Sequence, residues 1–477
     1  MRFSNLINIL ALVTVLCSCE SDFLARNNPN AVTEFSFWET EADADAAVLG
    51  IYSALQPNNL YGKNIFDFEA ASDNAYNNFD FEGYLEISEG RHQNTTAVIS
   101  QLWVGNYTVI NRANEVLANV PDMDINQAAK DQFTGEALVL RALGYLNLTT
   151  FYGNVPFFTE PLELDAPPAT TDREVIRTAI LSDLATAVDL LPDNVPARVD
   201  RAVALAMLAK ANLYAENWAA AADAAQQVMD MNFSLYEDYG ALFTPANENA
   251  SEIIWAVKYT QFIAGETEEF SGHRVNILPL PEFVESFQMT DGLSISESPL
   301  YNPAMPWENR DPRWDATFTR EGENQADIPF VPADYVIPYA YQKYTNPVRG
   351  QEGGQDFYLI RYADVLLMFA EAANEASGPD ESIYAAVNQV RSRVGMPGLP
   401  EGLDQEGMRD AIRLERRVEF GFEGNRLFDL FRWGIVDEAY ASISFHDRVF
   451  EAGKHEFFPI PLGELDNNPN VVQNPGW

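Results

Sequence analysis

MRDAIRLERRVEFGFEGNRLFDLFRWG, residues Met408 to Gly434, is the stretch whose reading decides the fold. Laid on a helix, Met408, Ala411, Ile412, Glu415, Val418, Glu419 and Phe422 recur at steps of three and four, a stripe that faces inward. Two members of that stripe are carboxylates. A charge turned toward a core must be paired and hydrogen-bonded, and Arg416, Arg417, Arg426 and Arg432 are the neighbours expected to hold Glu415 and Glu419. The alternative is a catalytic pair. Side chains four apart on a helix have Cβ atoms about 5–6 Å apart, near the roughly 5–5.5 Å carboxyl separation of a retaining glycosidase. Two acids on one helix face cannot easily flank a sugar from opposite sides, however, and surrounding arginines would keep both ionised, leaving no general acid. The stretch reads as a buried ion-pair network, not a catalytic site.

Outward from this stretch, the helical period recurs. Trp38, Ala42, Asp45, Ala46, Leu49 and Tyr52 keep helical steps behind a capping Thr40, and Trp103, Tyr107, Ile110, Asn114 and Leu117 share a face in residues 102–117. Residues 133–151, 201–214 with 218–231, and 362–377 with 382–394 form Ala-rich helices, some of them paired, in which small residues let neighbours stack closely. The fold class expected is mainly α: a tetratricopeptide-like helical-hairpin scaffold, with a long loop-rich insertion carrying short strands. Residues 233–355 supply that insertion, rich in Pro, Gly, Asn and aromatics with extended pieces such as 253–257. The scaffold takes 37–232 and 356–477.

The 30 Lys plus Arg against 71 Asp plus Glu leave a charge of −41, which repels nucleic acid and other polyanions. Only Cys17 and Cys19 occur, so no internal disulfide framework exists. Arg2 and the apolar run of residues 6–16 form an export signal too short to span a bilayer, and the run ends at Cys19 behind small residues, as in a bacterial lipobox. Residues 1–18 are read as a lipoprotein signal peptide, Cys19 as the lipidated residue, and 19–36 as anchor and tether. His92, His273, His446 and His455 show no metal-ligand spacing, and neither a dinucleotide fingerprint nor a P-loop is present. No metal and no cofactor is expected, and the Asp/Asn-rich residues 73–83 read as a polar turn rather than a calcium loop.

The run Glu415, Glu419, Phe420, Phe422, Glu423, Gly424, Arg426, Asp429, Leu430, Arg432, Trp433, Gly434 resembles the C-terminal signature of the SusD/RagB family, nutrient-binding outer-membrane lipoproteins of Bacteroidetes bacteria. The segments "FWETEADADAAVLGIY", "WVGNYTVINRAN", "NRDPRWDATF" and the closing "PIPLGELDNNPNVVQNPGW" are similar to further family phrases, so the resemblance spans nearly the whole chain after residue 36. It implies a non-enzymatic, cell-surface, lipid-anchored protein of the outer membrane. Such a protein binds oligosaccharides or polysaccharides and hands them to a SusC-like TonB-dependent transporter. A peptide ligand, as in the RagB branch, is the alternative, and a glycoside hydrolase a more remote one. The charge favours a neutral glycan.

In the family, ligand residues come from the loops ahead of the "W-x-x-x-Y" helix and from the long insertion. Carried over by region, these are Tyr76, Asn77, Phe79, Tyr84, Arg91 and His92 on one side and Tyr301, Trp307 and Tyr341 on the other. Trp103, Trp255, Trp314 and Trp433 lie in regular or family-wide segments and are assigned to the core. Trp307, between prolines and polar residues beside Asn309 and Arg310, is the expected sugar platform.

Overall fold

The computed structural model describes residues 37–162, 166–260, 277–325, 328–332, 336–344 and 354–477; Cys19 and the residues read above as signal peptide and tether lie outside them. Thr40 caps the first long helix, Glu41–Ser53, through a reciprocal capping box with Asp43. That helix packs on Ala97–Asn119 and Gln127–Phe151, and the chain then adds Arg173–Leu190, Arg201–Tyr214 and Trp218–Met229, each against its predecessor. Gly144 shows why the second and third helices approach closely, since a Cβ there would sit 2.8 Å from the Ile110 side chain. The next layer on Trp218–Met229 is Tyr362–Ser377, followed by Glu381–Arg393 and Gln405–Glu419. About 130 residues therefore leave the stack between two adjacent layers and return to it, which is the arrangement of a scaffold with an insertion.

One helix was absent from the sequence reading and one expectation is corrected. Arg173–Leu190, an 18-residue helix capped by Asp172, was not read from the sequence, although its buried stripe Ile176, Ile180, Leu184 and Ala187 keeps helical steps. The stripe from Met408 does not run on through Phe422: the helix ends at Glu419, Phe422 takes a φ of 59° and Gly424 one of 75°, and Arg426–Trp433 begins a second helix. Gly424 is required twice over, by that left-handed backbone and by the Ile65 carbonyl oxygen 2.6 Å from where a Cβ would stand.

Short antiparallel pairs organise the insertion. Ile253–Val257 pairs with Phe357–Arg361 where the insertion begins and ends, and Phe318–Thr319 pairs with Ala340–Tyr341. Ile277–Pro279 pairs with Ala75–Asn77, Tyr76 lying opposite Leu278, which ties the insertion to the loops ahead of Ala97–Asn119. A large hydrophobic cluster runs through scaffold and insertion alike, and a small one, Leu278, Leu280 and Ile337, lies beside the strand pair at residue 76.

Candidate ligand-binding site

Glu415 and Glu419 are buried and paired, but not with their neighbours in sequence. Arg313 donates to Glu415 at 2.6 Å and to Glu419 at 2.8 Å; Arg391 reaches Glu415 at 2.9 Å, and Arg361 and Arg393 each reach Glu419 at 2.6 Å. Arg416, Arg417, Arg426 and Arg432 instead hold Asp364 and Asp429, Asp73, Asp73, and Glu371 with Asp429. The correction has a geometric cause: Arg417, two from each carboxylate, and Arg416, next to Glu415, project from another face of the helix, and Arg426 and Arg432 lie on the following helix beyond the turn at Phe422. Burial alone would raise Glu419, but the charges of Arg393, Arg361 and Arg313 hold it well below the usual carboxylate range. Nearby, burial pulls Lys343 down to about 8 although Glu423 lies 2.9 Å away. Arg313 belongs to the insertion and Glu415, Glu419 and Arg361 to the scaffold, so the Arg313 pairs tie the insertion to the scaffold.

The structure removes four residues from the expected ligand set. Tyr341 is 0% exposed and stacks on Phe422 with ring centroids 5.0 Å apart; Tyr84 is 1% exposed, edge-on to Phe68, with its hydroxyl donating to Asn64. Asn77 is buried, donating to Glu82 and accepting from the Phe79 amide, and so shapes the turn rather than facing outward. His92, 2% exposed, is enclosed by His455 and Trp477. Tyr341 and Asn77 lie in short strands, Tyr84 starts a short helix and His92 follows it, and regional carry-over does not distinguish such inward positions from outward ones. Arg310 is also corrected: it is buried, and its guanidinium donates to the Phe287, Val284 and Pro306 carbonyls. Trp103, Trp255 and Trp314 are core residues as expected, whereas Trp433 is half-buried beside Arg413 and Arg432 and donates to Glu371.

Tyr76, Phe79, Arg91, Tyr301 and Trp307 retain surface. Tyr76 is half-buried, its ring 5.4 Å from Phe445 and 5.0 Å from His446. Beside it Glu89, Arg91, Ser444, Phe445, His446, Asp447 and Val449 line an open depression of about 600 Å³. Glu89 there pairs with Arg91 and lies 3.2 Å from His446 Nε2. Tyr76 and half-buried Tyr339 pack on the same small cluster of Leu278, Leu280 and Ile337. Tyr339 in turn lies edge-on to Trp314 at 5.7 Å, and Arg320 sits over both Trp314 and Trp307. Burial raises the Tyr339 hydroxyl, opposed by Arg310. Tyr76, Phe445 and His446 thus form one group of rings, while Tyr339 and Trp307 belong to the neighbouring Trp314–Arg320 group and meet the first through the shared Leu278, Leu280 and Ile337 cluster. Phe81, 83% exposed, stacks on Phe79 at 5.7 Å.

Four of these residues were missed. Phe81 is the second aromatic of "NNFDFEG", two past Phe79 and turned outward; Tyr339 lies in "IPYAY" two before buried Tyr341. Phe445 and His446 belong to the "SFHDR" loop after the signature, whose aromatic-polar composition was the available signal. Sugar rings have apolar faces that stack on such aromatics, while carboxylate, guanidinium and imidazole groups select hydroxyl directions.

Residues 251–477 match a family described as "SusD family", and residues 22–213 one described as "Starch-binding associating with outer membrane". SusD-like protein P25 of Formosa agariphila is 27% identical over 527 residues, spanning 99% of this chain and 98% of that protein. A SusD-like carbohydrate binding protein from Bacteroides fragilis has the same fold, with a TM-score of 0.83 at 23% identity over 92% of this chain and all of the other. A laminarin binding SusD-like protein gives a TM-score of 0.72 at 28% identity, over 92% of this chain and all of that one.

Proposed function

This chain belongs to the SusD/RagB family, and from that premise we propose that it is a non-catalytic glycan-binding lipoprotein. It captures oligosaccharides or polysaccharides at the cell surface. The observation that carries this is the pair of half-buried rings Tyr76 and Phe445, with His446, at an open depression that holds Glu89, Arg91 and Asp447. Tyr76, Phe79, Arg91, Tyr301 and Trp307 are the ligand contacts in this reading, joined by Phe81, Tyr339, Phe445 and His446. The names of its relatives, binding starch or laminarin, support a glycan over a peptide. Lipid on Cys19 anchors the protein to the outer membrane, where it delivers its ligand to a SusC-like TonB-dependent transporter. Binding without turnover agrees with Glu415 and Glu419 being sealed in arginine pairs.

Calorimetric titration against laminarin, soluble starch, xylan, mannan, alginate and a mixed oligopeptide pool tests this, with Tyr76→Ala and Trp307→Ala alongside. Binding to one neutral glycan, weakened several-fold or more by Tyr76→Ala as loss of a stacking contact requires, is the expected result. Binding to peptides alone, or release of sugars from any of the polymers, overturns it.

A further inference from the structure

The turn that carries Phe445 and His446 is fixed from two directions. From the side of the N-terminal loops, Arg448 donates to the Ala75 carbonyl at 2.6 Å, and the Val449 amide donates to the Ser88 carbonyl at 2.9 Å. From the insertion comes one carboxylate. Glu282 Oε1 accepts from the Ser444 amide at 2.7 Å and from the Ser444 hydroxyl at 2.6 Å. Glu282 is half-buried in the short helix Pro281–Ser286 and does not line the depression. Its carboxyl is lowered: burial opposes ionisation, but the hydrogen bonds from Ser444 outweigh it. The next two residues after Ser444 are those whose rings meet Tyr76.

We propose that Glu282 is a positioning residue for ligand binding, its paired hydrogen bonds to Ser444 holding Phe445 and His446 in register with Tyr76. This rests on the glycan-binding reading above and adds to it a residue that does not touch the ligand. Two hydrogen bonds to a charged acceptor are strong enough to hold a short turn in one pose, and a stacking surface assembled from three separate segments depends on such supports. Glutamine at 282 keeps an acceptor oxygen in the same place, whereas alanine keeps none.

The experiment measures two quantities on the full-length protein, Glu282→Ala and Glu282→Gln: amide exchange at Ser444, and affinity for whichever of laminarin, starch, xylan or mannan the wild type binds. Glu282→Ala is expected to speed Ser444 exchange and to raise Kd about tenfold, as loss of charge-assisted bonds implies. Glu282→Gln is expected to stay within about threefold of wild type on the same argument. Should Glu282→Ala fail to fold, Ser444→Ala, which deletes one of the two bonds, is expected to show the same pair of changes in smaller measure. Faster exchange with unchanged affinity overturns the proposal, and so does equal loss in the Ala and Gln variants. A wild type that binds none of the four glycans refutes the glycan reading itself and this proposal with it, so the wild-type control tells the two failures apart.

Discussion

Replacing Glu419 with glutamine keeps the side-chain shape and removes one charge from the most heavily paired position in the protein. Glu419 accepts from Arg313, Arg361 and Arg393 at 2.8, 2.6 and 2.6 Å. Asp311 and Glu415 still offset Arg313 in the variant, and Glu252 and Glu423 still offset Arg361, so no cation is left bare. The pocket nonetheless gains one uncompensated positive charge out of reach of water. Breaking a buried pair from one side costs about 3–5 kcal/mol. Spread over roughly 400 described residues at about 2.1 cal/mol/K of unfolding entropy each, that lowers Tm by about 4–6 °C. Scanning calorimetry at pH 7 reads it directly, with Glu406→Gln, exposed near the start of the same helix, as a control expected to stay within about 0.5 kcal/mol of wild type. The sign with pH follows from the depressed carboxyl. Its stabilisation is present above the unfolded carboxylate value of about 4.3 and is lost as pH falls toward the lower folded value. The gap between wild type and variant should therefore be wide at neutral pH and close in acid. An unchanged Tm at pH 7 would refute the ion-pair reading. So would an oligosaccharide-cleaving activity in the wild type that Glu419→Gln abolishes without loss of stability, which would make the carboxylate catalytic.

Tyr341→Ala, which empties a site stacked on Phe422 in the core, is expected to cost about 3–5 kcal/mol in urea denaturation; a variant as stable as wild type but unable to bind glycan would return Tyr341 to the ligand surface. Cys19→Ala should move the protein out of the membrane fraction while Cys17→Ala should not, and membrane retention of the first would remove the lipid-anchor reading. Burial pushes Glu69 up to about 7 despite a hydrogen bond from Asn74. A carboxyl raised on folding stabilises below its unfolded value and loses that contribution as pH rises toward the folded one. Wild-type stability should thus fall by on the order of 3 kcal/mol between pH 4.5 and 7 from this group; the slope should be shallower by that amount in Glu69→Gln, the rest coming from other raised carboxyls such as Glu248, and superimposable curves for the two proteins would contradict it.

The scaffold was legible because its signals are local. Helical steps of apolar residues, alanine at the contacts and the Thr40 cap are all written within one turn or two of chain, and the helices lie where those signals put them. The Arg173–Leu190 helix, not read from the sequence, obeys the same rule with a stripe of only four buried positions. Ion pairing of Glu415 and Glu419 was legible as a necessity but not as a set of partners. Arg313, Arg361, Arg391 and Arg393 come from segments 24 to 106 positions away, and nothing local distinguishes them from the arginines beside the carboxylates. The site was harder still. Tyr76 and Tyr84 lie in similar surroundings in the sequence, yet one stands against Phe445 at the rim and the other against Phe68 inside. That difference is decided by the pairing of Ala75–Asn77 with a strand 200 residues later.

Charge adds a last step to the ligand argument. Arg141, Arg310, Arg313, Lys343, Arg361, Arg391, Arg416 and Arg426 are buried, which takes 8 of the 30 Lys and Arg away from the surface. The 13 buried carboxylates exceed these 8 cations only modestly, which leaves most of the −41 outside the core. Within the depression, by contrast, Arg91 and His446 face Glu89 and Asp447, and Arg91 and Glu89 are already paired. An anionic polysaccharide would meet repulsion on approach and no free cation of Arg91's kind on arrival, since its strongest candidate partner is engaged. A neutral glycan meets neither obstacle, because ring stacking on Tyr76 and Phe445 is indifferent to the long-range field. The same reasoning makes added salt the discriminating variable: screening shortens the field to about 8 Å at physiological ionic strength, so salt should strengthen any binding to alginate and leave binding to a neutral glucan unchanged.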